Sequence, residues 1–160
     1  MKIEINNRQK TVRVNRTLAR TLVARLIRRA EHLTGAKPLD SIQVFLQDDT
    51  GMRALNRICF QSDTTTDVIS IRYDPMPGTT ACHADVAVNT QQALRCIRSS
   101  SRWPIARELA LYLAHGIDHL TGACDSTPRS RRRMRRRELR WLNHPEVRPL
   151  SLSWSRSHHD

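Results

Sequence analysis

Two histidines and an aspartate carry the chemistry most plainly written in this sequence: His115, His119 and Asp125 stand at the spacing H-x3-H-x5-D. On a helix, residues i and i+4 project from one face a turn apart, so both imidazoles can reach one ion without backbone strain. Gly122, three residues after the second histidine, suits the left-handed conformation that ends a helix. The chain can then turn back and bring Asp125 toward the same ion. Three protein ligands leave one position of a tetrahedral zinc open, which is the arrangement of a catalytic rather than a structural site. Cys124 is the alternative third ligand, one residue short of that register.

The spacing equals that of the H-E-x-x-H-x-x-G-x-x-H zinc proteases, with Asp125 in place of the last histidine. In those proteases the glutamate after the first histidine is the general base. Here that position is Gly116, which cannot take a proton, and this argues against a metallopeptidase.

With 27 Lys plus Arg against 15 Asp plus Glu, the chain has a formal net charge of +12, which calls for a polyanionic partner. All but Lys2, Lys10 and Lys37 of these cations are arginine, whose planar fork binds phosphate bidentately and stacks on bases. The densest run is Arg129 to Arg140, R-S-R-R-R-M-R-R-R-E-L-R, with eight arginines in twelve residues. Arg131, Arg132, Arg133, Arg135 and Arg136 are the candidate nucleic-acid contacts; the plainer alternative is a solvated helix face.

The chain has 160 residues, enough for one core that buries about two thirds of its unfolded surface. Cys59, Cys82, Cys96 and Cys124 form neither a C-x-x-C pair nor a regular framework and read as reduced thiols. No apolar run approaches the roughly 20 residues of a membrane span. A soluble cytoplasmic protein is expected, with no membrane partner and no nucleotide cofactor.

Strands and helices alternate. Lys2–Asn6 and Thr11–Val14 have half-buried strand patterning, and a helix follows at Thr17–Thr34, where Leu18, Leu22, Leu26 and Ala30 fall at i+4 steps and Gly35 stops it. Ile42–Gln47 reads as a strand, and Asp49-Thr50 as the cap of a helix holding Met52, Leu55 and Ile58. Asp67–Ile71 and Asp85–Val88 are short strands, and Thr90–Ile97 a short helix. Pro104 opens a strong helix through His119, and the arginine-rich segment forms a helix to about Leu142. The expected organisation is one domain over residues 1–144 and a mobile tail over 145–160, whose His158 and His159 are poor ligand candidates.

Several separated stretches together resemble one family, the YbeY endoribonucleases of ribosomal RNA maturation. The family motif H-G-x-L-H-L-x-G-x-D-H is similar to His115-Gly116-Ile117-Asp118-His119-Leu120-Thr121-Gly122-Ala123-Cys124-Asp125. Leu55-Asn56 followed by Thr66-Asp67-Val68-Ile69-Ser70 looks like its L-N-x(9)-T-D-V-L-S-F segment. Ala84-Asp85-Val86 stands where the family has G-D-I, and Met134 with Glu138 matches its closing M-x-x-x-E. The resemblance implies an α+β fold, a small mixed β-sheet packed by several helices, with one zinc ion at the end of a core helix. It also implies metal-dependent hydrolysis of single-stranded RNA in rRNA maturation and ribosome biogenesis, including small-subunit rRNA 3′-end processing, with rRNA and the small ribosomal subunit as partners.

The departures from that pattern matter. Asp125 replaces the last histidine and remains a competent zinc ligand. Asp118 replaces a leucine; it could orient an imidazole, act as a base, or pair with an arginine. Phe60 falls where the family has an arginine proposed to contact the scissile phosphate, and Arg57, a helical turn earlier, is the candidate substitute. Arg57 and Asp118 are therefore the candidate catalytic side chains, beside a zinc on His115, His119 and Asp125 that would polarise a phosphoryl oxygen and activate water. Two alternatives stand beside a zinc-dependent endoribonuclease: a catalytically weakened zinc-containing RNA- or ribosome-binding protein, and a zinc metallopeptidase.

Overall fold

The computed structural model describes residues 1–73, 75–97 and 104–150, and the backbone of 155–156. The elements run β1 (Lys2–Asn7), β2 (Val12–Arg13), α1 (Arg16–Thr34), β3 (Ser41–Gln47), α2 (Asp49–Phe60), β4 (Val68–Tyr73), β5 (His83–Asn89), α3 (Thr90–Ile97), α4 (Ile105–Leu120), α5 (Pro128–Asn143) and β6 (Ser155–Arg156). This is the α+β class expected, with the helices and strands close to their sequence-derived bounds.

The main sheet is mixed, in the order β1-β3-β5-β4. β1, β3 and β5 are parallel, and β4 pairs antiparallel with β5, Val68 opposite Val88 through Tyr73 opposite His83. Its strands put alternate residues on opposite faces. One face, with Ile42, Val44, Leu46, Ala84, Val86 and Val88, joins the large core under α1 and α4. The other is covered by α2, where Met52, Ile69 and Ala87 form a small second cluster with Phe45, Leu55 and Ile71.

The helices begin and end for local reasons. In α1, Asn15 caps the N-terminus by accepting from the Leu18 N–H, and Gly35 ends it at φ 69°. For α2 the cap is Asp48, one residue earlier than expected, accepting from the Gly51 N–H. In α4 most of the helix is buried, because it is packed between the sheet and α1, α3 and α5. A helix apolar on nearly every side is a core helix, and the metal motif occupies its last turns.

α4 can lie so close to the sheet because of Gly116. A Cβ there would meet Val86 Cγ1 at 2.8 Å, and Ser70 Oγ and Val68 Cγ2 at 2.9 Å. The position that cannot take a proton also has no room for a side chain. α5 then docks on α4 through Met134, Glu138, Trp141 and Leu142, held at its start by a capping box between Thr127 and Ser130.

The turn after α5, at the start of the expected tail, is packed: Val147 is 1% exposed in the main core and Leu150 packs against it. β6 pairs with β2, Val12 opposite Arg156. The rest of the expected tail, residues 151–154 and 157–160 with His158 and His159, lies outside the described residues.

Candidate metal centre

The end of α4 builds the site. Gly122 has φ 90°, and around it the Gly122 N–H reaches the His119 carbonyl (2.9 Å) and the Ala123 N–H reaches the Asp118 carbonyl (3.4 Å). This is a Schellman termination, in which the chain reverses by way of a left-handed residue. The reversal places the Ala123 carbonyl 2.9 Å from His119 Nδ1 and brings Asp125 back over the helix.

His115, His119 and Asp125 form the group of His, Cys, Asp and Glu side chains that could hold a metal among the described residues. The two Nε2 atoms are 3.1 Å apart, and the Asp125 carboxylate lies 3.8 Å from that of His115 and 4.0 Å from that of His119. Donor atoms around a tetrahedral ion with bonds of ~2.0–2.2 Å are ~3.3–3.6 Å apart, so the triangle is close to the size required.

The hydrogen bonds behind the ligands make the stronger case for a cation. A carbonyl oxygen only accepts, so His119 must donate Nδ1–H to Ala123; His115 likewise donates Nδ1–H to Glu138 Oε1 at 2.7 Å. With both rings neutral, as metal ligands must be, their Nε2 lone pairs face each other with a carboxylate as third neighbour. Three converging electron donors with no proton to share fit a metal ion. The Glu138–His115 contact is the carboxylate–histidine arrangement that fixes ring tautomer and orientation in metal sites. Burial pushes the His115 pKa down, but the hydrogen bond and charge of Glu138, with Asp67 and Asp125 behind it, more than offset this and leave it above the ordinary imidazole value.

Glu138 is 1% exposed, and its role as the support of His115 was not assigned from the sequence beyond its place in the M-x-x-x-E match. A signal was present. Met134, Glu138, Trp141 and Leu142 fall at i, i+4, i+7 and i+8, so Glu138 is an acid on the apolar stripe of an otherwise arginine-rich helix.

The triad opens into a groove of about 620 Å³ lined by Asn56, Phe60, residues 64–70, His115, His119 and Asp125. Its wall is fixed from behind. Asn56 donates to the Thr64 carbonyl (2.8 Å), and fully buried Asn89 donates to Asp49 (2.8 Å), Thr65 (3.0 Å) and the Thr66 carbonyl (3.2 Å). Arg95 clamps Asp49 with both terminal nitrogens, holding the Asp49 carboxyl down at about 2 chiefly through that hydrogen bond. Behind the groove wall, the Ser70 Oγ is buried against Gly116 of α4 and has no hydrogen-bond partner.

The other site candidates separate. Phe60 lines the groove and is 58% exposed, whereas Arg57 is bonded to Asp63 and is not among the lining residues. Asp118 is also outside the groove. It is fully buried and takes Arg137 bidentately, Nη2 to Oδ1 at 2.7 Å and Nε to Oδ2 at 3.0 Å. Of the roles open to it, the arginine pair is the one the geometry has; burial pushes its pKa above the usual carboxylate range even against Arg137. Cys124 is exposed and hydrogen-bonded to Ser126, outside the ligand triangle.

The arginines of α5 divide by position. Arg131 and Arg135 border a depression shared with Asp67, His115, Asp125 and Glu138, directly beside the triad. Arg132, Arg133 and Arg136 lie on the outward face with Arg129 and Arg140. Arg137 is the one turned inward to Asp118.

An α+β domain with a His-His-Asp centre at the end of its central helix defines a class, and comparison with known proteins names it. The sequence profile of the endoribonuclease YbeY family matches residues 4–146, and the chain belongs to that family. It is 38% identical over 97 residues to endoribonuclease YbeY of Anaeromyxobacter sp. (strain Fw109-5), a match covering 61% of this chain and 50% of that protein. To that of Chlamydia pneumoniae it is 27% identical over 143 residues, covering 86% and 87%. The chain thus spans about half the length of the Anaeromyxobacter relative. The solution structure of TM1509 from Thermotoga maritima has the same fold, with a TM-score of 0.56 at 17% identity over 94% of this chain and 96% of that one. None of the four cysteines is in a disulfide, and none of the described helices is long and apolar enough to cross a membrane.

Proposed function

We propose that the protein is a zinc-dependent endoribonuclease directed at single-stranded RNA, acting in the cytoplasm on ribosomal RNA during small-subunit maturation. The observation that carries this reading is the pair of histidines whose Nδ1 atoms are both anchored and whose Nε2 atoms converge with Asp125 at the floor of an open groove. When bound there, zinc supplies Lewis acidity and the activation of water at neutral pH.

The chain's own residues have definable parts. Glu138 and the Ala123 carbonyl hold both rings with their lone pairs toward the groove. Arg131 and Arg135 are within reach of phosphates that flank the triad, and arginine at such a position stabilises charge developing on phosphorus. Phe60 offers an exposed ring on which an unpaired base can stack, a contact open to a single strand and closed to a duplex. The Thr64–Thr66 segment supplies hydroxyls for the sugar-phosphate chain.

The second reading, an RNA-binding protein that keeps the metal and has lost the reaction, is favoured by one observation: no arginine stands at Phe60, and Arg57 is engaged by Asp63. A peptidase is disfavoured further by the lack of space at Gly116. The deciding experiment measures zinc content together with cleavage of a fluorescent single-stranded RNA, for the wild type and His119→Ala. The expected result is about one zinc per molecule in the wild type and loss of both zinc and cleavage in the variant. Zinc without any cleavage in the wild type would give the binding-protein reading instead.

A further inference from the structure

Arg129, Arg132, Arg133, Arg136 and Arg140 fall at i, i+3, i+4, i+7 and i+11, and together they alone line a depression of about 550 Å³ on the outward side of α5. Eleven steps at 1.5 Å give the stripe a length of about 16 Å. None of the five has an ion-pair or hydrogen-bond partner among the described residues. The stripe is nonetheless fixed in place, because the opposite face of α5 is anchored by Met134, Glu138, Trp141 and Leu142 and its first turn by the Thr127–Ser130 capping box. Its guanidinium groups start from a rigid helix, so little backbone freedom is lost when a ligand engages them.

This surface differs in kind from the groove. The groove combines a metal triad with an exposed aromatic ring and a row of hydroxyls, the features that grip a strand whose bases are unpaired. The outward stripe has charge and forked donors but no aromatic side chain among the residues lining it. Such a surface can bind phosphates bidentately, and it has no aromatic platform on which a run of unpaired bases would be held. A lipid surface would be met by cations together with an apolar edge that enters the bilayer boundary, and no apolar residue lines the stripe.

We infer that the outward face of α5 docks the sugar-phosphate backbone of an RNA duplex, while the groove on the other side of Arg131 and Arg135 takes the adjoining single strand. The inference rests on the RNA reading proposed above and extends it from a strand to a junction. Double-stranded RNA is recognised through shape and phosphate contacts, with its bases hidden, which is what a charge-only stripe can do. A substrate held this way presents single-stranded nucleotides beside a helix to the triad.

The test is binding of a blunt 12-base-pair RNA duplex, followed by fluorescence anisotropy over a range of salt, and it requires neither turnover nor metal. Arg132→Gln/Arg136→Gln/Arg140→Gln is compared with a charge-matched control on the exposed positions of α1, Arg16→Gln/Arg20→Gln/Arg28→Gln. The stripe variant is expected to weaken duplex binding by about tenfold or more and to reduce the salt slope by about two to three, against a much smaller change in the control. Equal losses in both variants would show bulk charge rather than a docking face and would overturn the proposal, as would undiminished duplex binding by the stripe variant. Binding to phosphatidylserine vesicles that depends on the stripe, in a wild type that does not bind the duplex, would transfer the face to a lipid surface and overturn it too. Cleavage of free single strands by the zinc-loaded protein is scored separately, so failure of the nuclease reading and failure of the duplex face give different results.

Discussion

Arg136 and Arg137 are neighbours in sequence and stand on different sides of α5. Arg137 closes over fully buried Asp118 with two parallel hydrogen bonds and lies against the Trp141 ring, 5.8 Å from its centroid. Arg136 shares the outward stripe with four other arginines and no acid. On that stripe Arg129/Arg133, Arg132/Arg136 and Arg136/Arg140 are like-charge i, i+4 pairs, each destabilising a helix by about 0.2–0.5 kcal/mol. The inward face therefore stabilises the fold with the same residue type that, on the outward face, costs it stability and leaves charge free for a partner. Residue type did not decide between structure and recognition; angular position on the helix did.

The comparison breaks most directly on stability. Arg137→Ala leaves the Asp118 carboxylate buried without its partner and is expected to cost about 3 kcal/mol, the low end for breaking a buried pair, because the Arg137 side chain is 24% exposed. Arg136→Ala is expected to stay within about 0.5 kcal/mol of the wild type or to stabilise it slightly. Urea unfolding of the two variants side by side checks this, and equal losses would remove the distinction between the faces.

A smaller effect sharpens it on the metal side. Glu138 shares the inward face with Arg137 but supports a ligand, so Glu138→Ala should weaken zinc binding by about 10–100-fold in a chelator competition. Arg136→Ala, remote from His115, should leave the zinc affinity as it is.

The smallest effect concerns a third kind of arginine. Arg95 is paired, like Arg137, but its side chain is 45% exposed and that of its partner Asp49 30%. Solvent screening limits such a pair, and Arg95→Ala is expected to cost about 1 kcal/mol or less at neutral pH. The folded-state pKa of Asp49 is depressed from 3.8 to about 2, so its contribution is present above the unfolded value and is lost as pH falls through the folded one. Wild type and variant should converge in stability between about pH 4 and pH 2, and a difference that persists at pH 2 would place the effect in packing rather than in the ion pair.

Local chemistry was legible in the sequence wherever its cause lies within a few residues. The i, i+4 histidines, the glycine that ends their helix at φ 90° and the aspartate after it needed only helical geometry and the left-handed allowance of glycine. The strand and helix sequence followed from periodicity in the same way. The cap at Asp48 rather than at Asp49 and the packed turn at Val147 fell outside that reach, because a cap choice and a buried turn depend on what lies opposite.

What only the tertiary structure decided is which side of each element meets which neighbour. The arginine run reads as one block along the chain, yet the docking of α5 on α4 sends Arg137 to Asp118, Arg131 and Arg135 to the metal groove, and five others to the outside. The same docking buries Glu138 against His115 across 23 residues of sequence. Gly116 shows the limit most plainly: the sequence said that it could not act as a base, and the 2.8–2.9 Å approach of Val86, Ser70 and Val68 shows that no side chain could stand there. Sequence fixes the residue types and their local periodicity, but long-range packing sets their partners, and a charged group's energetic role depends on its partner and its burial.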